Sequence, residues 1–227
     1  MKVDAPRVFD IAGFQVEDTY LVTLGITGGL TLLAWVWGRR LQVAGLSPWQ
    51  VAVESFFSWI EGTVREVVDE DPSPYVPLIA TLMLFIAICN LLAVVPLIRP
   101  PTGQLSTAVA LALVVFVAVP YYGIRRQGLR GYLAGYARPS PFLIPFNLMG
   151  ELTRTLALAV RLFGNVMSGV MVGAVILLVA GFLVPLPLLF LSLLTGLIQA
   201  YIFGVLALVY IAAALRVEQQ RPSGGPE

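Results

Sequence analysis

Between Pro145 and Pro185 runs a long apolar stretch that carries three charges, Glu151, Arg154 and Arg161. A charged side chain at the bilayer centre costs at least about 2.5–3.5 kcal/mol on insertion scales, so charges in such a stretch are functional candidates by default. Placed on a helix, Asn147, Glu151, Arg154, Leu158, Arg161, Asn165 and Ser168 follow alternating steps of four and three. That spacing puts them on one stripe, about 32 Å long at 1.5 Å per residue. Leu158 is its only apolar member. A polar stripe on a greasy helix is expected to face protein or water rather than lipid. Glu151 and Arg154, three apart, can pair. Arg161 has no acidic residue at i±3 or i±4 and is the unpaired charge, there either for ion movement or to hydrogen-bond to another helix.

A second apolar stretch offers a weaker matching face. Ser192, Thr195 and Gln199 follow steps of three and four, and Tyr210 lies eleven residues beyond Gln199 on nearly the same side. Gly196 and Gly204 permit close approach of a neighbouring helix. Serine and threonine in membrane helices often bond to their own backbone, so Gln199 is the more telling residue. The chain has no histidine, which removes the usual proton shuttle. No phosphate-binding glycine loop, metal cluster or nucleophile–base pair can be found. Neither a cofactor, a metal nor a catalytic site for covalent chemistry is expected; the chemistry is the movement of charge or ions.

The elements that must position these residues follow from composition. Of the 227 residues 58% are hydrophobic and 12% charged, with a mean hydropathy of +0.87. A soluble domain of this length cannot hide so much apolar surface, and the same figures exclude a disordered chain. The net charge of +1 leaves no nucleic-acid footprint. Cys89 is the only cysteine and is read as a small buried hydrophobe. The chain is expected to be an all-α integral membrane protein forming a single membrane domain over 1–227.

Five stretches are long enough to cross a hydrocarbon core of about 30 Å: Tyr20–Trp37, Tyr75–Ile98, Leu105–Ile124, Phe146 to about Gly181, and Pro185–Leu215. Ser47–Asp71 mixes Phe56, Trp59, Ile60 and Val64 with Glu54, Glu61 and Arg65 and reads as an amphipathic helix at the membrane surface, with a soluble loop helix as the alternative. Arg125–Arg138 reads as a basic loop. Residues 146–180 would make a helix about 52 Å long, too long for an upright crossing. Either it is steeply tilted, or it breaks near Gly164 or Gly169. With the fifth stretch it suggests an inclined hairpin over 146–215. Residues 1–19 fit neither a signal nor a transit peptide.

Orientation follows from the distribution of basic residues. With the N-terminus outside, the inner side holds nine (Arg39, Arg40, Arg65, Arg125, Arg126, Arg130, Arg138, Arg216 and Arg221) and the outer side three (Lys2, Arg7 and Arg99). The C-terminal tail, 216–227, is therefore expected inside.

The run from Glu151 through Arg161-Leu-Phe-Gly-Asn165 resembles the signature of subunit a of F-type ATP synthases. Asn90-Leu-Leu-Ala-Val-Val-Pro96, Pro101-Thr-Gly-Gln-Leu-Ser-Thr107 and Gln199-Ala-Tyr-Ile-Phe203 are similar to other segments of that family, in the right order, so the likeness covers about residues 20–215. The resemblance implies a non-catalytic stator subunit of a rotary motor in a bacterial inner membrane. Arg161 would be the essential arginine facing the ion-binding carboxylate of each passing c subunit. A fixed positive charge favours the ionised carboxylate and releases its bound proton or sodium ion. Gln199 would lie near Arg161, and Asn165, Glu151, Ser168 and Ser192 would line or border two aqueous half-channels; Arg154, Thr195 and Asn147 share those faces. Implied partners are a ring of c subunits, b-type peripheral stalk subunits and, through the complex, a soluble ATPase sector.

Three positions depart from the family pattern. Val170 stands where Glu or His is frequent, Ser192 where a protonatable residue is frequent, and Gln104 where an acid is common. The outer half-channel is thus expected to have little titratable lining, and coupling to Na⁺ remains open beside H⁺. A secondary transporter would normally show interrupted helix pairs or an internal repeat, and neither is found. A plain membrane scaffold gives no reason for the charged stripe.

Overall fold

The computed structural model describes residues 8–11, 14–40, 48–68, 71–93, 100–136, 142, 144–180 and 185–216. The expected segments 1–7, 41–47, 94–99, 137–140, 181–184 and 217–227 lie outside the described residues, and with them Lys2, Arg7, Pro96, Arg99, Arg138 and Arg221. Among the described residues six α-helices follow a short antiparallel hairpin, β1 (Val8–Ile11) and β2 (Phe14–Glu17), in which Val8 pairs with Glu17 and Ile11 with Phe14. The sequence reading did not foresee this hairpin, because strands of four residues carry too little periodicity to be read. The fold is otherwise all-α.

The helices are α1 (Asp18–Arg40), α2 (Pro48–Val67), α3 (Val76–Leu92), α4 (Leu105–Tyr136), α5 (Ile144–Ala180) and α6 (Pro185–Arg216). Among the described residues, α1, α4, α5 and α6 are long and apolar enough to cross a membrane. The expected span Tyr75–Ile98 is shorter: α3 ends at Leu92, where the Ala93 amide turns back to the Asn90 carbonyl at 3.2 Å. Its 17 residues make about 25 Å at 1.5 Å each. A single 3-10 turn, Pro101–Gly103, then opens α4. The exposed turn before α3 is tied by the Asp71 carboxylate, which accepts from the Ser73 amide at 3.2 Å and hydroxyl at 2.9 Å. Those bonds hold Asp71 below the ordinary carboxylate pKa.

The expected basic loop is a correction. Helix continues to Tyr136, kinked at Gly128, where φ is +73°, a conformation that only glycine adopts without cost. The chain turns back so sharply that a Cβ on Gly123 would sit 2.6 Å from the Tyr132 ring, although nine residues of straight helix would separate the two by about 13 Å. This elbow is fastened to α6, because Gln127 Nε2 donates to the carbonyls of Ala214 (2.8 Å) and Leu215 (3.3 Å). Those are carbonyls in the last helical turn, which lack intrahelical partners.

The core forms where α3 and α6 run antiparallel. Gly196, Ala200 and Gly204 repeat every four residues on α6, the small-residue pattern that lets membrane helices approach closely. A Cβ on Gly204 would lie 2.5 Å from Met83 Cγ, and one on Gly196 2.9 Å from Asn90 Cβ. Ile79, Ile86, Phe203, Leu208 and Ile211 are fully buried at this interface and around it. Helix α2 is amphipathic as expected and lays Ile60 and Val64 into the same core, while Glu61 and Arg65 pair at 2.7 Å on its outer face.

Helix α5 is continuous for 37 residues, about 56 Å; no break occurs at Gly164 or Gly169. It packs beside α4 and α6, leaving a long row of Leu152, Leu156, Val160 and Met171 exposed.

Candidate functional site

Three contacts show the antiparallel register of α5 and α6. Asn165 Nδ2 donates to the Thr195 carbonyl at 3.4 Å. A Cβ on Gly169 would meet Ser192 Oγ at 2.4 Å, so the helices touch there. The Arg154 guanidinium lies over the Tyr210 ring, 5.7 Å from its centre. Gln199 is four residues along α6 from Thr195, and Arg161 four residues back along α5 from Asn165. In antiparallel helices the two therefore occupy the same level.

Around that level the polar residues divide into two groups. At the elbow end, Gln127, Tyr132, Asn147, Glu151, Arg154 and Tyr210 line part of a cavity of about 430 Å³. Its remaining walls are mostly aliphatic and aromatic side chains of α4, α5 and α6. At the opposite end, Asn165, Ser168, Ser192 and Thr195 form a seam between α5 and α6. Ser168 Oγ donates to the Asn165 carbonyl at 3.0 Å, and Thr195 Oγ1 to the carbonyls of Leu191 at 2.8 Å and Ser192 at 3.0 Å. Between the two groups, Leu158 and Leu162 are fully buried and separate them with an apolar layer.

Arg161 stands at this layer. It is exposed and has neither a hydrogen-bond nor an ion-pair partner among the described residues. Gln199, at the same level, is 5% exposed, and its Nε2 is buried without a hydrogen-bond partner among the described residues.

A family described as "ATP synthase A chain" matches residues 21–212. A relative from Pelobacter propionicus, "ATP synthase subunit a 2", is 49% identical over 216 residues, 95% of this chain and 94% of its own. Another of the same name, from Acaryochloris marina, is 47% identical over 207 residues, 91% and 88% of the two chains. "ATP synthase subunit a" of Nitrosospira multiformis is 55% identical over 168 residues, 74% and 67%. The chain belongs to the ATP synthase A chain family.

Against the expected stripe of this A chain, the structure makes one adjustment. Leu158 is buried while Arg154 and Arg161 are exposed, so the stripe follows the flank of α5 where buried surface gives way to free surface. The cause is geometric: at 3.6 residues per turn a step of four advances about 40° and a step of three falls back about 60°, so Glu151, Leu158 and Asn165 form an inner row and Asn147, Arg154, Arg161 and Ser168 an outer, exposed one. The residues of the matching face on α6 do meet α5, at Ser192, Thr195 and Tyr210.

Spacing gave no partners for other polar residues of this A chain. Asn90 and Thr102 are 3% and 0% exposed. Asn90 Nδ2 donates to the Gly196 carbonyl at 2.7 Å, and Thr102 Oγ1 donates to Asn90 Oδ1 at 2.8 Å. Gln104 Nε2 donates to Thr19 Oγ1 at 2.8 Å, tying α1 to the turn. The signal was present: Asn90 interrupts an apolar run, and a carboxamide there is costly unless bonded.

Proposed function

We propose that this chain is the stator subunit of the membrane sector of an F-type ATP synthase, presenting Arg161 to a ring of c subunits whose carboxylates load and unload an ion. One observation carries the reading: an exposed arginine, without a partner among the described residues, at an apolar layer that divides two polar regions. A carboxylate that reaches Arg161 from a partner is held ionised by the guanidinium, so its ion must already have left. With the polar regions on opposite sides of the Arg161 level, that ion leaves through one and a new ion enters through the other. Direct passage between them would have to cross Leu158 and Leu162 against a fixed positive charge.

The elbow-end cavity is then the inner half-channel and the Asn165–Ser192 seam the outer one, with the N-terminus outside and the C-terminus inside. Glu151 supplies a carboxylate at the inner vestibule, and Arg154, held by Tyr210, sets its local field. Among the described residues the seam has three hydroxyls, one carboxamide and no carboxylate, a lining whose oxygens can hold water or coordinate Na⁺. The b-type peripheral stalk subunits and the soluble ATPase sector complete the proposed assembly, in which 146–215 forms the rotor-facing hairpin of one membrane domain.

The test is Arg161→Ala in the intact complex in inverted membrane vesicles. ATP-driven ion pumping is expected to vanish while the c ring and soluble sector still co-purify with the chain. Pumping at the wild-type rate overturns the reading. Na⁺ uptake that survives a protonophore identifies sodium as the coupling ion, and its loss identifies the proton.

A further inference from the structure

The Thr102–Asn90–Gly196 chain of hydrogen bonds is buried: Asn90 is 3% and Thr102 0% exposed. We infer that Asn90 and Thr102 are positioning residues that set the heights of Gln199 and Arg161 relative to each other. The inference rests on the stator reading for its functional consequence, but its structural content stands on the geometry below.

Both ends of the Asn90 carboxamide are engaged, Nδ2 with the Gly196 carbonyl at 2.7 Å and Oδ1 with the Thr102 hydroxyl at 2.8 Å. A buried amide that loses such partners bears its full desolvation penalty. Helix α6 can meet this demand at one height only. The carbonyl must belong to a residue without a side chain, because a Cβ on Gly196 would sit 2.9 Å from Asn90 Cβ. Sliding α6 by one turn would bring Ala200 or Ser192 into that place, each with a Cβ. Glycine at 196 is thus the key that admits one register, and Gln199 follows three residues later on the flank that faces α5.

The other end of the chain touches α5. Thr102 belongs to the turn Pro101–Gly103, and a Cβ on Gly103 would lie 3.4 Å from Val166 Cγ1. Val166 follows Asn165 and is five residues from Arg161. One compact turn therefore braces α5 through packing and α6 through Asn90. The direct polar tie between α5 and α6 at this level, Asn165 to the Thr195 carbonyl, is long at 3.4 Å. Relative height is set mainly by the latch rather than by that bond.

The test compares Thr102→Val, which removes only the donor, with Thr102→Ser, which restores it, in the assembled complex. Two readouts are followed. Disulfide trapping between Asn165→Cys and Thr195→Cys, in a Cys89→Ala background, reports helix height without reference to transport. ATP-driven pumping, with its dependence on ion concentration, reports the consequence. With Thr102→Val, trapping and pumping are each expected to fall about tenfold, the equivalent of one lost buried hydrogen bond. The ion concentration for half-maximal pumping is expected to shift, with the amount of complex unchanged, and Thr102→Ser is expected to recover all three. Unchanged trapping in Thr102→Val, failure of Thr102→Ser to recover, or loss of the complex in Thr102→Val each overturns the latch. If trapping responds while pumping does not, the latch stands and the stator reading of Gln199 and Arg161 fails.

Discussion

Arg161 and Gln199 share one level of the α5–α6 pair, each four residues from the Asn165–Thr195 contact, yet the first is exposed and the second buried. The pair thus offers a charge on its free face and, just behind it, an amide whose Nε2 has no hydrogen-bond partner among the described residues. Both features cost free energy in an apolar setting. Sites that keep such costs are those where stability has been given up for activity.

That trade-off can be measured at Gln199. Removing an unsatisfied buried donor is neutral or favourable for stability. Gln199→Leu is therefore expected to leave the thermal resistance of the detergent-extracted complex unchanged or raised, while ATP-driven pumping falls. A variant that is less stable and pumps normally would show that Nε2 serves packing.

The Gly169–Ser192 contact makes a prediction with a built-in rescue. Gly169→Ala places a methyl 2.4 Å from Ser192 Oγ, and overpacking of this kind costs about 1–3 kcal/mol. The helices must part at the proposed outer half-channel, so pumping is expected to fall. Ser192→Ala removes the clashing oxygen and leaves Cβ at 3.4 Å, so the double variant is expected to recover pumping relative to Gly169→Ala. Absence of recovery would place the defect elsewhere.

The elbow is tested at Gly128. With φ at +73° and ψ at 162° Gly128 occupies a region essentially reserved for glycine, and any side chain there is strained by about 1–3 kcal/mol. Gly128→Ala and Gly128→Asn are both expected to loosen the segment 129–136 and expose it to protease in vesicles. Equal resistance of all three would mean that the Gln127 bonds to Ala214 and Leu215 hold the elbow without the kink.

How much of this was legible depended on whether a residue announced its cost. Charges and carboxamides in apolar helices did so, which is why spacing singled out Arg161, Gln199 and Asn165 and why α5 and α6 were bounded to within two residues. Asn90 announced itself equally but lies on a short span without a repeating polar pattern, and its partners, Thr102 and the Gly196 carbonyl, are 12 and 106 residues away. Periodicity reads one helix at a time, so it cannot find a bond whose meaning lies between three. The basic stretch after Ile124 was misread for a related reason. Its arginines suggested a water-filled loop, yet helix persists because Tyr132 packs back onto Gly123, a tertiary contact that outweighs local composition.

The exposure of Arg161 has one more consequence, for biogenesis. A solitary copy of this chain turns an unneutralised guanidinium toward lipid, at a cost of at least about 2.5–3.5 kcal/mol. A neighbour that brings a carboxylate relieves that cost. The residue that would serve the working complex thereby marks an orphan copy as incomplete, and ties its residence in the membrane to the arrival of a neighbour that carries that carboxylate.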